Sequence, residues 1–281
     1  SMRDAFQFSD ISAGQHGMAA ASDSHNTASP YRQDNFFGLH ADADGTVERR
    51  FAGVLIGGTM DVRLENPGGL TGVWAEENTR ASLWDAMYRK ETFGVSGPHI
   101  KVRLFGGWDF EPKDADNRMP ARVGYTKGVP MGGDLSDAPK GKAPTFLVAA
   151  LKDPIGANLD RYQIVKGWLD DKGETHEQVY DVAWGGDRKP GPDGKVPSVG
   201  STVDVENATW KNTIGAPELI AVWKDPDFDP KQEAFYYGRV IEIPTPRWTA
   251  YDAKRFSVKP LPGTPMTVTE RAYTSPIWYT P

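Results

Sequence analysis

The stretch 235-FYYGRVIEI-243 decides the fold class, because large and apolar side chains recur along it in the alternating pattern of a β-strand. The same pattern restarts in three earlier segments, 100-IKVRL-104, 146-FLVAAL-151 and 161-RYQIV-165. Gly, Pro, Asp and Asn separate these segments, as turns require. The sequence therefore predicts a mostly antiparallel β-sandwich from about residue 98 to residue 281.

Upstream of the predicted sandwich, residues 76–91 are the one segment with convincing helical spacing. Asn78 or Thr79 can cap the start of this helix. Leu83, Trp84 and Met87 then fall on one face. We expect that face to be buried against the remainder of residues 1–97.

The strongest candidate for a metal-binding motif in the sequence is Asp23-Ser24-His25, which follows the run of small apolar residues 17-GMAAA-21. If that run is a strand, positions i and i+2 project to the same side, so Asp23 and His25 converge. A carboxylate and an imidazole together suit Zn, Mn or Fe. The alternative is that Asp23 caps a turn and His25 is an ordinary loop residue.

The segment 225-DPDFD-229 has the alternating acids with which a calcium-binding loop begins. It lacks the glycine and the closing bidentate glutamate of that loop. We therefore interpret it as a turn, with Asp229 capping the segment before Lys231.

Composition excludes several classes of protein and of site. Lys and Arg number 32 against 38 Asp and Glu, and the net charge of −6 without a basic cluster argues against a nucleic-acid partner. The absence of cysteine excludes disulfides, thiolate metal ligands and a cysteine nucleophile. No apolar run suggests a membrane span. A periplasmic or secreted location is expected if an export signal lies upstream, and a cytoplasmic one otherwise.

Several long strings resemble an uncharacterised bacterial family known as domain-of-unknown-function family 3604. The resemblance runs from about residue 14 to the end and is carried by 22-SDSHN-26, 68-GGLTGVWAEENTR-80, 89-RKETFGVSGP-98, 105-FGGWDF-110, 128-GVPMGGDL-135, 242-EIPTPRW-248 and 273-YTSPIWY-279.

That family in turn resembles the polymerase-and-histidinol-phosphatase (PHP) superfamily of metal-dependent hydrolases. The resemblance implies an α+β chain in which residues 1–97 are the C-terminal part of a PHP-like (β/α) barrel and residues 98–281 are the β-sandwich domain. In that superfamily the last barrel strand ends in Asp-x-His, which implies a metal-ligand role for Asp23 and His25. The opening His-x-His motif has no counterpart among the five histidines.

Two functional hypotheses follow. In the first, the chain is the C-terminal portion of a hydrolase of phosphoester, ester or related bonds, with a divalent metal (Zn, Mn or Fe) in the full-length protein and a missing N-terminal half as its partner. Its substrate is then a small molecule or a glycan, and this portion alone is expected to be inactive and to bind metal weakly. His16 or His40 could complete a site, although their spacing does not require it.

In the second hypothesis, the chain is a non-catalytic β-sandwich module that binds a glycan or a protein. No catalytic acid or base is assigned.

Overall fold

A computed structural model of the chain describes residues 15–25, 27–28, 30–53, 55–56 and 60–281. Within these ranges the chain forms 16 strands: β1 Leu55–Ile56, β2 Met60–Asp61, β3 Leu70–Val73, β4 Thr92–Val95, β5 Lys101–Gly107, β6 Gly128–Pro130, β7 Asp134–Leu135, β8 Thr145–Leu151, β9 Leu159–Leu169, β10 Thr175–Trp184, β11 Glu218–Lys224, β12 Ala234–Glu242, β13 Thr245–Pro246, β14 Thr267–Val268, β15 Arg271–Thr274 and β16 Ile277–Tyr279.

Helices are short and few among the described residues. They are α1 Ala41–Asp44, α2 Val47–Phe51, α3 Arg80–Tyr88, α4 Pro120–Lys127 and α5 Trp248–Phe256, with single 3₁₀ turns at Gln33–Asn35, Val62–Leu64 and Pro112–Asp116. None of them is long and apolar enough to cross a membrane.

Two sheets dominate the architecture. The larger has the order β10-β9-β12-β15-β4-β3, with β16 paired to β12 and β7 paired to β16, and the smaller has the order β11-β8-β5-β6. Every pair in them is antiparallel except the short pairing of β7 with β16. The prediction of a mostly antiparallel β structure is therefore confirmed.

One hydrophobic core joins the two sheets. Leu104 on β5 and Phe146 on β8 come from the smaller sheet, while Tyr162 on β9 and Tyr236 on β12 come from the larger, and all four are at most 1% exposed. One face of each of these strands packs against the other sheet, while the opposite faces of β8, β9 and β12 are also largely buried, in smaller hydrophobic clusters.

The first part of the chain contributes to the same sheet as the last part. β3 and β4, which precede residue 98, extend the larger sheet through the pairing of Phe93 with Thr274 and of Val95 with Ala272. The described residues up to 97 contain no closed barrel. The run 17–21 forms no strand, although Ala20 N donates to Thr71 Oγ1 beside β3 (2.9 Å).

The predicted helix is confirmed as α3, but the expected burial of its apolar face was wrong for two of the three residues. The Thr79 side chain accepts a hydrogen bond from Ser82 N, so Thr79 rather than Asn78 caps the helix. Trp84 is 64% exposed and Met87 is 49% exposed, while Leu83 is partly buried. The face buried instead is narrow and contains Ala86.

Candidate metal centre

A tight loop between residues 38 and 44 builds the first half of the candidate site. Asp44, at the end of α1, folds back so that its Oδ2 accepts Leu39 N (2.6 Å) and its Oδ1 accepts His40 N (2.8 Å). Gly38 has a φ of +97°, and a Cβ there would lie 2.5 Å from Asp44 Oδ1. The glycine is therefore required both by the backbone and by the carboxylate beside it.

Glu65 supplies the other half from the end of a 3₁₀ turn. Its backbone carbonyl accepts hydrogen bonds from Trp248 Nε1 (2.7 Å) and from Arg247 Nη2, both at the start of α5. Arg50 on α2 pairs with Asp252 on α5 at 2.7 Å, which fastens the helices on either side together. These contacts turn the Glu65 side chain inward, where it is only 1% exposed.

The three side chains converge. One ligand atom from each of His40, Asp44 and Glu65 lies within 4.8 Å of the other two, and His40 Nδ1 is 3.4 Å from Glu65 Oε1. Three atoms of this cluster are buried: both carboxylate oxygens of Glu65 and His40 Nδ1. None of them has a hydrogen-bond partner among the described residues. Buried polar atoms without partners are uncommon, because each costs about 1–3 kcal/mol.

The electrostatics of Glu65 reflect this arrangement. Burial, and after it the neighbouring Asp44 carboxylate, raises the pKa of Glu65 to about 8. Two adjacent buried carboxylates repel each other unless a proton or a cation lies between them. The cluster is therefore arranged to hold one or the other.

The sequence-predicted pair lies next to this cluster. The His25 and His40 rings are 4.2 Å apart between centroids, and His25 N donates to Leu39 O (2.9 Å). Asp23 Oδ1 is 3.8 Å from His25 Nε2, and both side chains are exposed to solvent. Asp23 has a φ of +53°, which is unusual for a residue other than glycine. His16 is also exposed and has no described contact with this group.

The structure thus adds Asp44 and Glu65, which the sequence did not single out, and brings in His40, which it did not require. His40 precedes α1 in an extended conformation, so it meets Asp44 because the Asp44 carboxylate folds back onto the amides of Leu39 and His40. No local pattern marks Glu65.

The donors fit a divalent cation of the kind first expected. One imidazole nitrogen and carboxylate oxygens suit Zn, Mn or Fe, and among the described residues His40 Nδ1 and both Glu65 carboxylate oxygens are buried without a partner. A second group, Asp170, Glu174 and His176, also brings ligand atoms together. There the Asp170 carboxylate is already used by His176 Nε2 (2.9 Å) and Glu174 N (2.9 Å), so that group is a hydrogen-bonded hairpin turn.

Fold and site together define a two-sheet antiparallel β protein with a buried histidine–carboxylate cluster. The chain belongs to the family described as "Protein of unknown function (DUF3604)", whose model matches residues 11–281. Comparison with curated proteins and with solved structures gave no match.

Proposed function

We propose that this protein binds a divalent cation at His40, Asp44 and Glu65, and that the cation serves a metal-dependent hydrolase of phosphoester, ester or related bonds. The observation that carries the proposal is the Glu65 carboxylate, buried beside Asp44 and His40 with no hydrogen bond to either oxygen among the described residues. A bound cation relieves the carboxylate repulsion and gives these oxygens a partner.

Each residue has a distinct role in this proposal. Asp44 is held in one orientation by two backbone amides, so it offers a fixed ligand atom. Glu65, whose carboxylate oxygens have no hydrogen-bond partner among the described residues, loses its proton and becomes a charged ligand when the cation binds. His40 supplies nitrogen, and Asp23 and His25 form the solvent-facing side of the centre, where they can accept a cation or guide water and substrate.

The resemblance to the PHP superfamily supports the inclusion of Asp23 and His25, because that superfamily ends its last barrel strand with Asp-x-His. We accordingly propose that the residues before β3 complete a PHP-like barrel together with an N-terminal half, which would supply further ligands. A cation bound there supplies a polarised water at neutral pH. The residues of this chain hold the cation and leave one exposed side, at His25, for substrate.

The test is metal content and affinity of the purified chain. We expect Zn²⁺ or Mn²⁺ to bind with one-to-one stoichiometry in calorimetry, and Glu65→Gln to abolish that binding while the protein stays folded by circular dichroism. Asp170→Asn, in the hydrogen-bonded hairpin, is the matched control and should leave binding unchanged. Equal binding by wild type and Glu65→Gln would overturn the metal assignment.

Hydrolysis is tested separately, with a phosphoester and a carboxylic ester chromogenic substrate. Because the centre is proposed to need ligands from an N-terminal half, we expect metal-dependent turnover in the full-length protein and little in these residues alone. If the full-length protein binds metal but its turnover is unchanged by Glu65→Gln, the metal site does not serve the proposed hydrolysis.

A second function, a module that binds a protein partner, is favoured by one observation. Trp84, Met87 and Tyr88 on α3 are 64%, 49% and 79% exposed. Large apolar side chains grouped on a surface helix are typical of interaction surfaces. This function would be favoured over the hydrolase if the purified chain contained no metal and if Glu65→Gln did not change its affinity for added Zn²⁺ or Mn²⁺.

A further inference from the structure

A second candidate site lies in a cleft of about 430 Å³ that none of the proposed metal ligands lines. Its wall contains the aromatic residues Tyr31, His99 and Trp210, and two glutamates, Glu242 and Glu270, also line it. Small-molecule sites in proteins have volumes of roughly 300–1,000 Å³. The cleft is therefore large enough for a small organic ligand.

Glu242 is the unusual group in this cleft. It sits at the end of β12, is 1% exposed, and its Oε1 is buried without a hydrogen-bond partner among the described residues. Glu270 is 3% exposed but well satisfied, since Gln33 Nε2 (2.8 Å) and Ser96 Oγ donate to its two oxygens. The two glutamates are adjacent, because Glu242 N donates to Glu270 O (3.0 Å).

The cations around the cleft are bonded elsewhere, and Arg32, which lines it, pairs its guanidinium with Asp34. Lys152 Nζ donates to the backbone carbonyls of Asp153 (2.8 Å) and Gly156 (2.9 Å). The Arg247 guanidinium donates to Asn66 and to backbone carbonyls. Burial and the neighbouring Glu270 carboxylate, followed by Asp153, raise the pKa of Glu242 well above its usual range, and Lys152 opposes this only in part. The base of the cleft thus has an excess of carboxylates over cations that can pair with them.

The wall above the glutamates is aromatic. The Tyr31 and His99 rings stack at 5.3 Å with an interplanar angle of 9°, and Tyr31 is 40% exposed at the surface. Trp210 is partly buried in the same wall. Tyrosine and tryptophan rings offer large apolar faces, against which the carbon skeleton of a ligand can pack.

We propose that this cleft binds a small organic ammonium ion, with the charged nitrogen at Glu242 and Glu270 and the apolar body against Tyr31 and Trp210. A primary ammonium group offers three N–H donors, one of which satisfies Glu242 Oε1. The ammonium ion would take the place of the proton that Glu242 keeps in the free protein, whereas a neutral polyol could donate hydrogen bonds but could not replace that positive charge.

The experiment is calorimetry with cyclohexylamine, which is an ammonium ion at pH 7.5, against cyclohexanol of similar shape and methyl glucoside as a neutral sugar. We expect cyclohexylamine to bind wild type at least about tenfold more tightly than either neutral probe. Equal affinity for cyclohexylamine and cyclohexanol, tighter binding of methyl glucoside, or no binding of cyclohexylamine would each overturn the proposal.

Two variants place the ligand in this cleft. Glu242→Gln keeps the shape of the side chain and should weaken cyclohexylamine binding by at least about tenfold, while Glu177→Gln, at an exposed glutamate of β10, should not change it. If Glu242→Gln does not fold, Trp210→Ala replaces it and should weaken binding at least about threefold. Unchanged affinity in the folded variant would contradict the assignment.

Discussion

The imidazole rings of His25 and His40 lie 4.2 Å apart between centroids, tilted by 53° to one another. This contact joins the Asp23–His25 pair, at the surface, to the buried carboxylates of Asp44 and Glu65. The two parts would otherwise be an exposed loop and an isolated acidic pair. Their adjacency makes a single centre with a buried side and an open side.

We predict that the two histidines contribute unequally to cation affinity. His40→Ala removes a proposed ligand atom within 4.8 Å of both carboxylates and should weaken Zn²⁺ binding about 100-fold, whereas His25→Ala, on the open side, should weaken it about tenfold. Calorimetric titration with Zn²⁺ measures both. His176→Ala is the control, and a larger loss for His25→Ala than for His40→Ala would reverse the assignment of the buried and open sides.

The sequence predicted β5, β8, β9 and β12 because alternating side chains are a local pattern. It did not place β3 and β4 in the larger sheet, because the pairing of β4 with β15 joins residues that are far apart in the chain. The site was only partly predictable, because the burial of Glu65 depends on distant contacts. Trp248 Nε1, which holds the Glu65 carbonyl, is 183 residues away in sequence. Asp23 and His25 were visible because they form a local motif. The exposure of Trp84 could not be foreseen either, since helical spacing identifies an apolar face but not what covers it.

The acidic segment 225–229 stabilises the fold, and we predict that removing the Asp225 carboxylate lowers the free energy of unfolding. Asp225 Oδ2 accepts hydrogen bonds from Tyr236 OH (2.7 Å) and forms an ion pair with Lys166 Nζ (2.7 Å), with both charged side chains at most 4% exposed. Asp225→Ala leaves a buried lysine unpaired, so we expect a loss of about 3–5 kcal/mol in the free energy of unfolding.

Urea denaturation measures this loss, and Asp229→Ala is the matched control. Asp229 is exposed and its carboxylate accepts only Lys231 N (2.9 Å) among the described residues, so its removal should cost less than about 1 kcal/mol. Added Ca²⁺ should change neither value. Equal losses for the two variants would show that the buried ion pair is not what stabilises this turn.

The stability of the protein should fall as the pH rises above the usual pKa of a glutamate side chain, in part because of Glu242. Its pKa is raised in the folded protein by burial and then by Glu270, so the folded state keeps a proton that the unfolded chain has released. Unfolding then releases that proton, and stability is lost as pH increases.

Glu242→Gln removes the carboxyl group that binds this proton. We expect the variant to lose less stability than wild type between pH 5 and pH 8, with the slope reduced by up to about 1.4 kcal/mol per pH unit. Urea denaturation across that range gives the two slopes, and Glu177→Gln should retain the slope of wild type. Parallel slopes for Glu242→Gln and wild type would mean that Glu242 is ionised in the folded protein.

Gly38 should be essential to the proposed metal centre although it offers no ligand atom. A methyl group at this position would have to adopt a φ of +97° and would lie 2.5 Å from Asp44 Oδ1. Gly38→Ala must therefore strain the backbone and displace the carboxylate that accepts Leu39 N and His40 N. We expect a loss of roughly 2–4 kcal/mol in stability and a marked loss of Zn²⁺ affinity.

Gly141→Ala separates the two effects of that substitution. Gly141 also has a positive φ, +76°, but a Cβ there meets nothing within 4 Å, so the change introduces backbone strain alone and should cost about 1–2 kcal/mol without altering Zn²⁺ affinity. The difference between the variants measures the contact of Gly38 with Asp44. If Gly38→Ala bound Zn²⁺ as tightly as Gly141→Ala, the Asp44 carboxylate would not be a ligand, because a displaced carboxylate cannot keep the same metal geometry.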